Sequence, residues 1–184
     1  MEQLRCKACG YIINENKLGD ICPACGMPRS AFEPYKETLS KKRKMILGLN
    51  LHPIALHFPQ AFAAVIPPFI LLGVAAGPSI GSQLMATVQV LSVILPLTVL
   101  AAVGAGLIDG KTRFKKLSTP ILVKKIIMGT ILLALSGATA GVALAYGTEY
   151  PGRLYLLILS IGCIACEITL AQMGKTLINA KMPG

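Results

Sequence analysis

Long uncharged stretches divide the chain. From Met45 to Ile108 there is no Asp, Glu, Lys or Arg, and from Ile126 to Thr148 there is none either. A third apolar run starts at Leu154 and is broken only by Glu167 before Lys175. Crossing the hydrocarbon core of a bilayer takes about 20 apolar residues of helix. The first run therefore holds two spans, and the others hold one each. The pattern predicts helices over about 53–76, 83–107, 121–146 and 154–177. Gly77-Pro78-Ser79 reads as one turn, and Gly147 to Gly152, with Pro151 inside it, as another. Loops this short join antiparallel neighbours, so residues 52–184 are expected to form an all-α four-helix transmembrane bundle. Pro59, Pro67 and Pro68 predict a bend or locally opened backbone in the first helix. Gly137 and Gly141, four apart on the third, predict close approach of another helix.

The polar remainder lies at the N-terminus. Residues 1–35 carry two cysteine knuckles, and residues 36–51 read as a basic linker that meets the membrane. No short apolar stretch of the kind a secretion signal needs occurs in residues 1–44, so the N-terminus is expected to stay on the side where it is made.

Composition sharpens this picture. Charged residues make up 14% of the 184, against about a quarter in an ordinary soluble domain. The net charge of +10 could suggest nucleic acid, but its placement argues against that partner. Lys41, Lys42, Arg43 and Lys44 precede the first span, and Lys111, Arg113, Lys115, Lys116, Lys124 and Lys125 lie between the second and third. Lys175 and Lys181 follow the fourth, whereas the opposite connections hold only Arg153. Lysine and arginine near span ends are retained on the cytoplasmic side. The expected location is therefore the inner, cytoplasmic membrane, with both termini in the cytoplasm. Contact with anionic lipid follows as a by-product.

The knuckles are Cys6-Lys7-Ala8-Cys9-Gly10 and Cys22-Pro23-Ala24-Cys25-Gly26, with twelve residues between Cys9 and Cys22. Two C-x-x-C turns at this separation put four thiolates around one ion, and tetrahedral sulfur selects zinc or iron. Gly10 and Gly26 suit a turn that needs positive φ. Disulfides are the bland alternative, disfavoured in a reducing cytoplasm. So short a segment cannot bury enough core to fold alone, so the ion would also supply folding free energy.

The stretch Cys6 to Ile12, the short gap, and then Cys22 to Tyr35 are similar to the C-terminal rubredoxin-like domain of rubrerythrins, over about residues 4–35. That resemblance implies a small metal-stabilised β-ribbon holding one iron on Cys6, Cys9, Cys22 and Cys25. The iron would cycle between ferric and ferrous, with Tyr11 and the Phe32 region shielding it. The chain has no tryptophan, which many full rubredoxins carry near the iron. Zinc ribbons also use C-P-x-C-G, so zinc is the alternative ion.

The membrane half has its own candidates. Its two histidines fall in His52-Pro53-Ile54-Ala55-Leu56-His57-Phe58-Pro59. This HPxxxHFP signature, with Gly106-Leu107-Ile108-Asp109, resembles a family of uncharacterised bacterial membrane proteins with four spans, over about residues 50–175. The family implies no activity. Some of its members carry a further histidine near the third helix, where this chain has Lys124 and Lys125. His57 shares a helix face with Gln60 and lies about a turn deeper than His52. It could ligate a b-type haem, donate to a quinone, or bond backbone opened by Pro53 and Pro59. Cys163, Cys166 and Glu167 share one face of the fourth helix. The cysteines read as small apolar fillers or as a redox dithiol. Glu167 in lipid should be neutral or paired, and a pair with His57 would make a proton relay. Tyr146, Tyr150 and Tyr155 read as an interfacial aromatic belt.

Three functions fit these features. The favoured one is an electron carrier or oxidoreductase subunit. It takes electrons from a cytoplasmic redox donor protein and passes them to quinone, haem or a partner membrane subunit. The others are a membrane-anchored zinc-ribbon assembly module and a transporter accessory that would have to form a homo-oligomer or larger complex. No nucleophile, oxyanion site or nucleotide loop points to hydrolysis or phosphoryl transfer.

Overall fold

The computed structural model describes residues 2–36 and 39–178, with side chains as far as Lys175; Lys181 lies outside the described residues. The chain divides into two compact units, one ending at Ser40 and one running from Lys41 to Pro183.

The first unit is a three-stranded antiparallel sheet of β1 (Gln3–Cys6), β2 (Ile12–Asn14) and β3 (Phe32–Tyr35), in the order β2-β1-β3. Cys6 sits opposite Phe32 at the end of the central strand. The buried apolar side chains of this unit are Cys6, Leu18 and Cys22. A core that small cannot hold a fold by itself. Leu18 is buried, Tyr11 is 40% exposed and Phe32 is half-buried.

Five helices form the second unit among the described residues. α1 (Lys41–Gly48) lies within the expected linker, and α2 (Leu51–Ala75), α3 (Pro78–Phe114), α4 (Pro120–Tyr146) and α5 (Gly152–Ile178) follow. The last four are long and apolar enough to cross a membrane. α2, α3, α4 and α5 pack each on the next, and α2 also contacts α5, which closes the ring.

Three boundaries differ from expectation. Pro78 and Ser79 are not part of a turn with Gly77; Pro78 opens α3 at the first helical position, where proline loses no hydrogen bond. α3 also runs past Leu107 to Phe114, because Arg113 Nε pairs with the Asp109 carboxylate at 3.0 Å one turn back. It ends where Lys115 turns to φ 61°. α1 packs against α3, and Arg43 donates to the Thr112 and Arg113 carbonyls at 3.0 and 3.2 Å. A cation there satisfies backbone acceptors that a helix end leaves open.

The bundle buries four of its hydroxyls among the described residues. Ser92, Ser136, Thr139 and Ser160 are buried, while Leu71, Leu97 and Leu144 are at least 60% exposed. Ser136, Thr139 and Ser160 bond back to carbonyls of their own helices at 2.9–3.0 Å, so they need no partner across the bundle. Small interior residues let helices pack where lipid gives no hydrophobic drive.

The close helix approach is not at Gly137 and Gly141. Both are exposed, with open space where a side chain would stand, because the buried stripe of α4 is Gly129, Leu132, Ser136, Thr139 and Ala143. The tight crossing joins α2 to α3 instead: a Cβ on Gly81 would stand 2.7 Å from the Gly73 carbonyl oxygen. Helix α2 continues through Pro59, Pro67 and Pro68 as one element. Near the α4–α5 connection, Tyr146 and Tyr155 meet edge to face with centroids 6.0 Å apart.

Candidate functional site

Two nearly equivalent turns build the four-cysteine cluster. Gly10 N–H donates to the Cys6 carbonyl and Gly26 N–H to the Cys22 carbonyl, both at 2.8 Å. Cys6 N–H then donates to Tyr11 O at 2.9 Å, and Cys22 N–H to Met27 O at 2.7 Å. Each turn closes through a glycine in the left-handed region, Gly10 at φ 76° and Gly26 at φ 74°. A β-carbon there is strained, which is why both knuckles end in glycine.

The four sulfurs lie within 4.8 Å of one another. Cys6 and Cys25 are 3.7 Å apart, as are Cys9 and Cys22. Metal–sulfur bonds of about 2.3 Å in a tetrahedron require sulfurs about 3.8 Å apart. The donor set therefore fits one tetrahedral thiophilic ion. Cys6 and Cys22 are buried, whereas Cys9 and Cys25 are exposed, so the cluster has one protected and one accessible edge. The Cys9 backbone N–H, pointing at Cys6, draws that thiol down to about 7. At Cys25 the Met27 N–H acts downward, but the neighbouring sulfurs led by Cys9 outweigh it and push the thiol up to about 12. Four crowded thiols cannot all ionise unless a cation takes up their charge.

Arg29 braces the second knuckle. Its Nη1 donates to Leu18 O at 3.0 Å and its Nη2 reaches Glu15 at 3.4 Å, while its backbone N–H bonds Asp20 O. These contacts join the loop between the knuckles to the segment after them.

In the membrane half, the candidates do not all meet. His57 is exposed, and its Nδ1 donates to the Pro53 carbonyl at 2.7 Å on its own helix. That is the backbone-bonding role, and the expected His57–Glu167 pair is absent. Glu167 is 9% exposed and its Oε1 has no hydrogen-bond partner among the described residues. His52 is the histidine that faces inward: its Nδ1 donates to the Ala102 carbonyl of α3 at 3.2 Å. The ring fits because position 106 is glycine; a Cβ there would come 2.9 Å from His52 Cε1.

His52, Gln60 and Glu167 line one cavity of about 480 Å³ between the helices. Asp109, Arg113, Lys125 and Lys175 line it too, although the sequence presents the three basic residues as topology signals and Asp109 as part of a family motif. Helical spacing could have found Lys125, which stands three residues from buried Leu122 and four from buried Gly129. Cys163 and Cys166 are buried with Ala63, Leu132 and Leu156 and lie outside this cavity, as fillers would.

Comparison with known proteins bears on the first unit. Residues 5–33 match the family described as rubrerythrin, rubredoxin-like domain. Rubrerythrin of Porphyromonas gingivalis is 47% identical over 32 residues, which is 17% of this chain and 16% of that protein. No solved structure matches the chain.

Proposed function

We propose that the chain is a membrane-anchored rubredoxin-like electron carrier. In this reading Cys6, Cys9, Cys22 and Cys25 hold one iron on the cytoplasmic side of the inner membrane. The observation that carries it is the sulfur cluster itself, with two 3.7 Å edges, inside residues that match a rubredoxin-like domain. Iron supplies a one-electron ferric–ferrous couple. The chain's own residues prepare the ground. Backbone N–H groups of both knuckles stabilise thiolate charge. Cys6, Cys22 and Leu18 keep water from one side, and exposed Cys9 and Cys25 offer the edge where a soluble donor protein can exchange electrons.

Only a few residues separate β3, ending at Tyr35, from α1, starting at Lys41. A linker of that length raises the effective concentration of the carrier for an acceptor in the membrane. The acceptor is then a quinone, a haem or a partner subunit. The test is a visible spectrum of the detergent-purified protein with metal analysis, before and after dithionite. Sulfur-to-iron bands that bleach on reduction, with one iron per chain, support the reading. A colourless protein with one zinc sinks it and leaves an anchored zinc-ribbon module.

A further inference from the structure

The cavity at the basic end of the bundle has a composition that selects its occupant. Its walls are mainly aliphatic, from Leu56, Val99, Leu132 and Leu170 among others. Into that apolar space projects Glu167, more than nine-tenths buried, with Oε1 unpartnered. Buried carboxyl oxygens are otherwise hydrogen-bonded, so an orphan beside a cavity marks the place of a missing partner. Gln60 adds an amide to the lining, and His52, with Nδ1 committed to Ala102, keeps Nε2 as an acceptor.

We propose that this cavity binds the ring of a quinone. A quinone is neutral and flat, with an apolar body and a carbonyl oxygen at each end. A neutral Glu167 carboxyl and the Gln60 amide can each donate to such an oxygen, while the imidazole Nε2 can accept from the hydroxyl of the quinol. The isoprenoid tail is as apolar as the walls and the lipid. An anionic phospholipid fits less well. Its phosphate would stay with Lys125 and Lys175, and Lys175 lies eight residues along α5 from Glu167, about 12 Å. The orphaned oxygen would remain orphaned. Haem fits less well again, since among the described residues one imidazole and no methionine or cysteine line the space. Use of the site as an electron acceptor rests on the electron-transfer reading above; binding does not.

Native mass spectrometry of the full-length protein in detergent, titrated with decylubiquinone, tests the proposal. One saturable adduct per chain is expected. Glu167→Leu should cut occupancy at least tenfold, whereas Glu167→Gln, which still donates, should stay within threefold. Gly129→Leu, which fills the cavity, should match Glu167→Leu. Should Gly129→Leu not fold, the two Glu167 variants decide alone, since they differ from each other chiefly in whether the side chain can donate a hydrogen bond. The proposal is overturned by absence of a saturable adduct, by equal occupancy in wild type and Glu167→Leu, by a retained phospholipid that excludes the quinone, or by a copurifying haem. Zinc-loaded protein that binds decylubiquinone would keep the site and remove electron transfer. Iron-loaded protein that does not bind it would remove the site alone.

Discussion

Cys25 stands at the exposed edge of the cluster, yet it supplies one of the four sulfurs placed to hold an ion in the first unit. With Cys6, Leu18 and Cys22 the buried apolar side chains among its described residues, the unit has little besides a bound ion that could hold it. Structural metal sites of this kind contribute on the order of 10 kcal/mol to folding. Cys25→Ser should therefore drop bound metal from near one per chain to below a tenth by elemental analysis, and should open residues 2–36 to protease. Metal retained at full stoichiometry would show that three sulfurs suffice. Gly26 separates backbone conformation from ligation. Its φ is 74° and nothing stands within 4 Å of an added Cβ, so Gly26→Ala meets strain without a clash. The penalty of a left-handed β-carbon is about 1–2 kcal/mol. The variant should bind metal at full stoichiometry but lower the melting midpoint of the loaded domain. An unchanged midpoint would mean that the turn tolerates the side chain.

At the scale of elements, two glycine positions should behave oppositely. Gly81 faces the Gly73 carbonyl oxygen at 2.7 Å from its would-be Cβ, and rigid backbone cannot yield as a side-chain tip can. Gly81→Ala must push α2 and α3 apart, and overpacking of this kind destabilises by roughly 1–3 kcal/mol. Gly137→Ala meets open space and should leave the detergent melting curve of the bundle unchanged. The spacing of Gly137 and Gly141 points to the wrong helix face because a four-residue interval says nothing about which face turns inward. That face is set by Gly129, Leu132 and Ser136, and only packing reveals it. The same limit applies to the histidines. Depth along α2 makes His57 the conspicuous candidate, but rotation about the helix turns His57 outward and His52 toward Gly106. By contrast, the metal cluster is legible from the sequence, since a C-x-x-C-G turn carries its geometry locally. The number of long helices is legible too, because hydrocarbon thickness sets their length. What stays hidden is the cavity, whose lining comes from four helices at once.

For the whole molecule, the arrangement of charge and the chemistry of the cysteines make one joint demand. Basic residues gather at the start of α1, at the α3–α4 connection and on Lys175, while Arg153 is alone near the α4–α5 connection. If retention of positive charge fixes the orientation, the four thiols face the reducing cytoplasm, where they remain available to a metal. A reporter pair tests this directly. Alkaline phosphatase inserted after Thr148 should be active, because that enzyme folds only in an oxidising compartment. Green fluorescent protein fused after Gly184 should fluoresce, and the phosphatase moved there should be inactive. The reverse pattern would place Cys6, Cys9, Cys22 and Cys25 among oxidants. Sulfurs already 3.7 Å apart would then be open to disulfide formation, and both the iron centre and the cytoplasmic donor would fall with the topology. Orientation is thus the condition on which the metal reading stands.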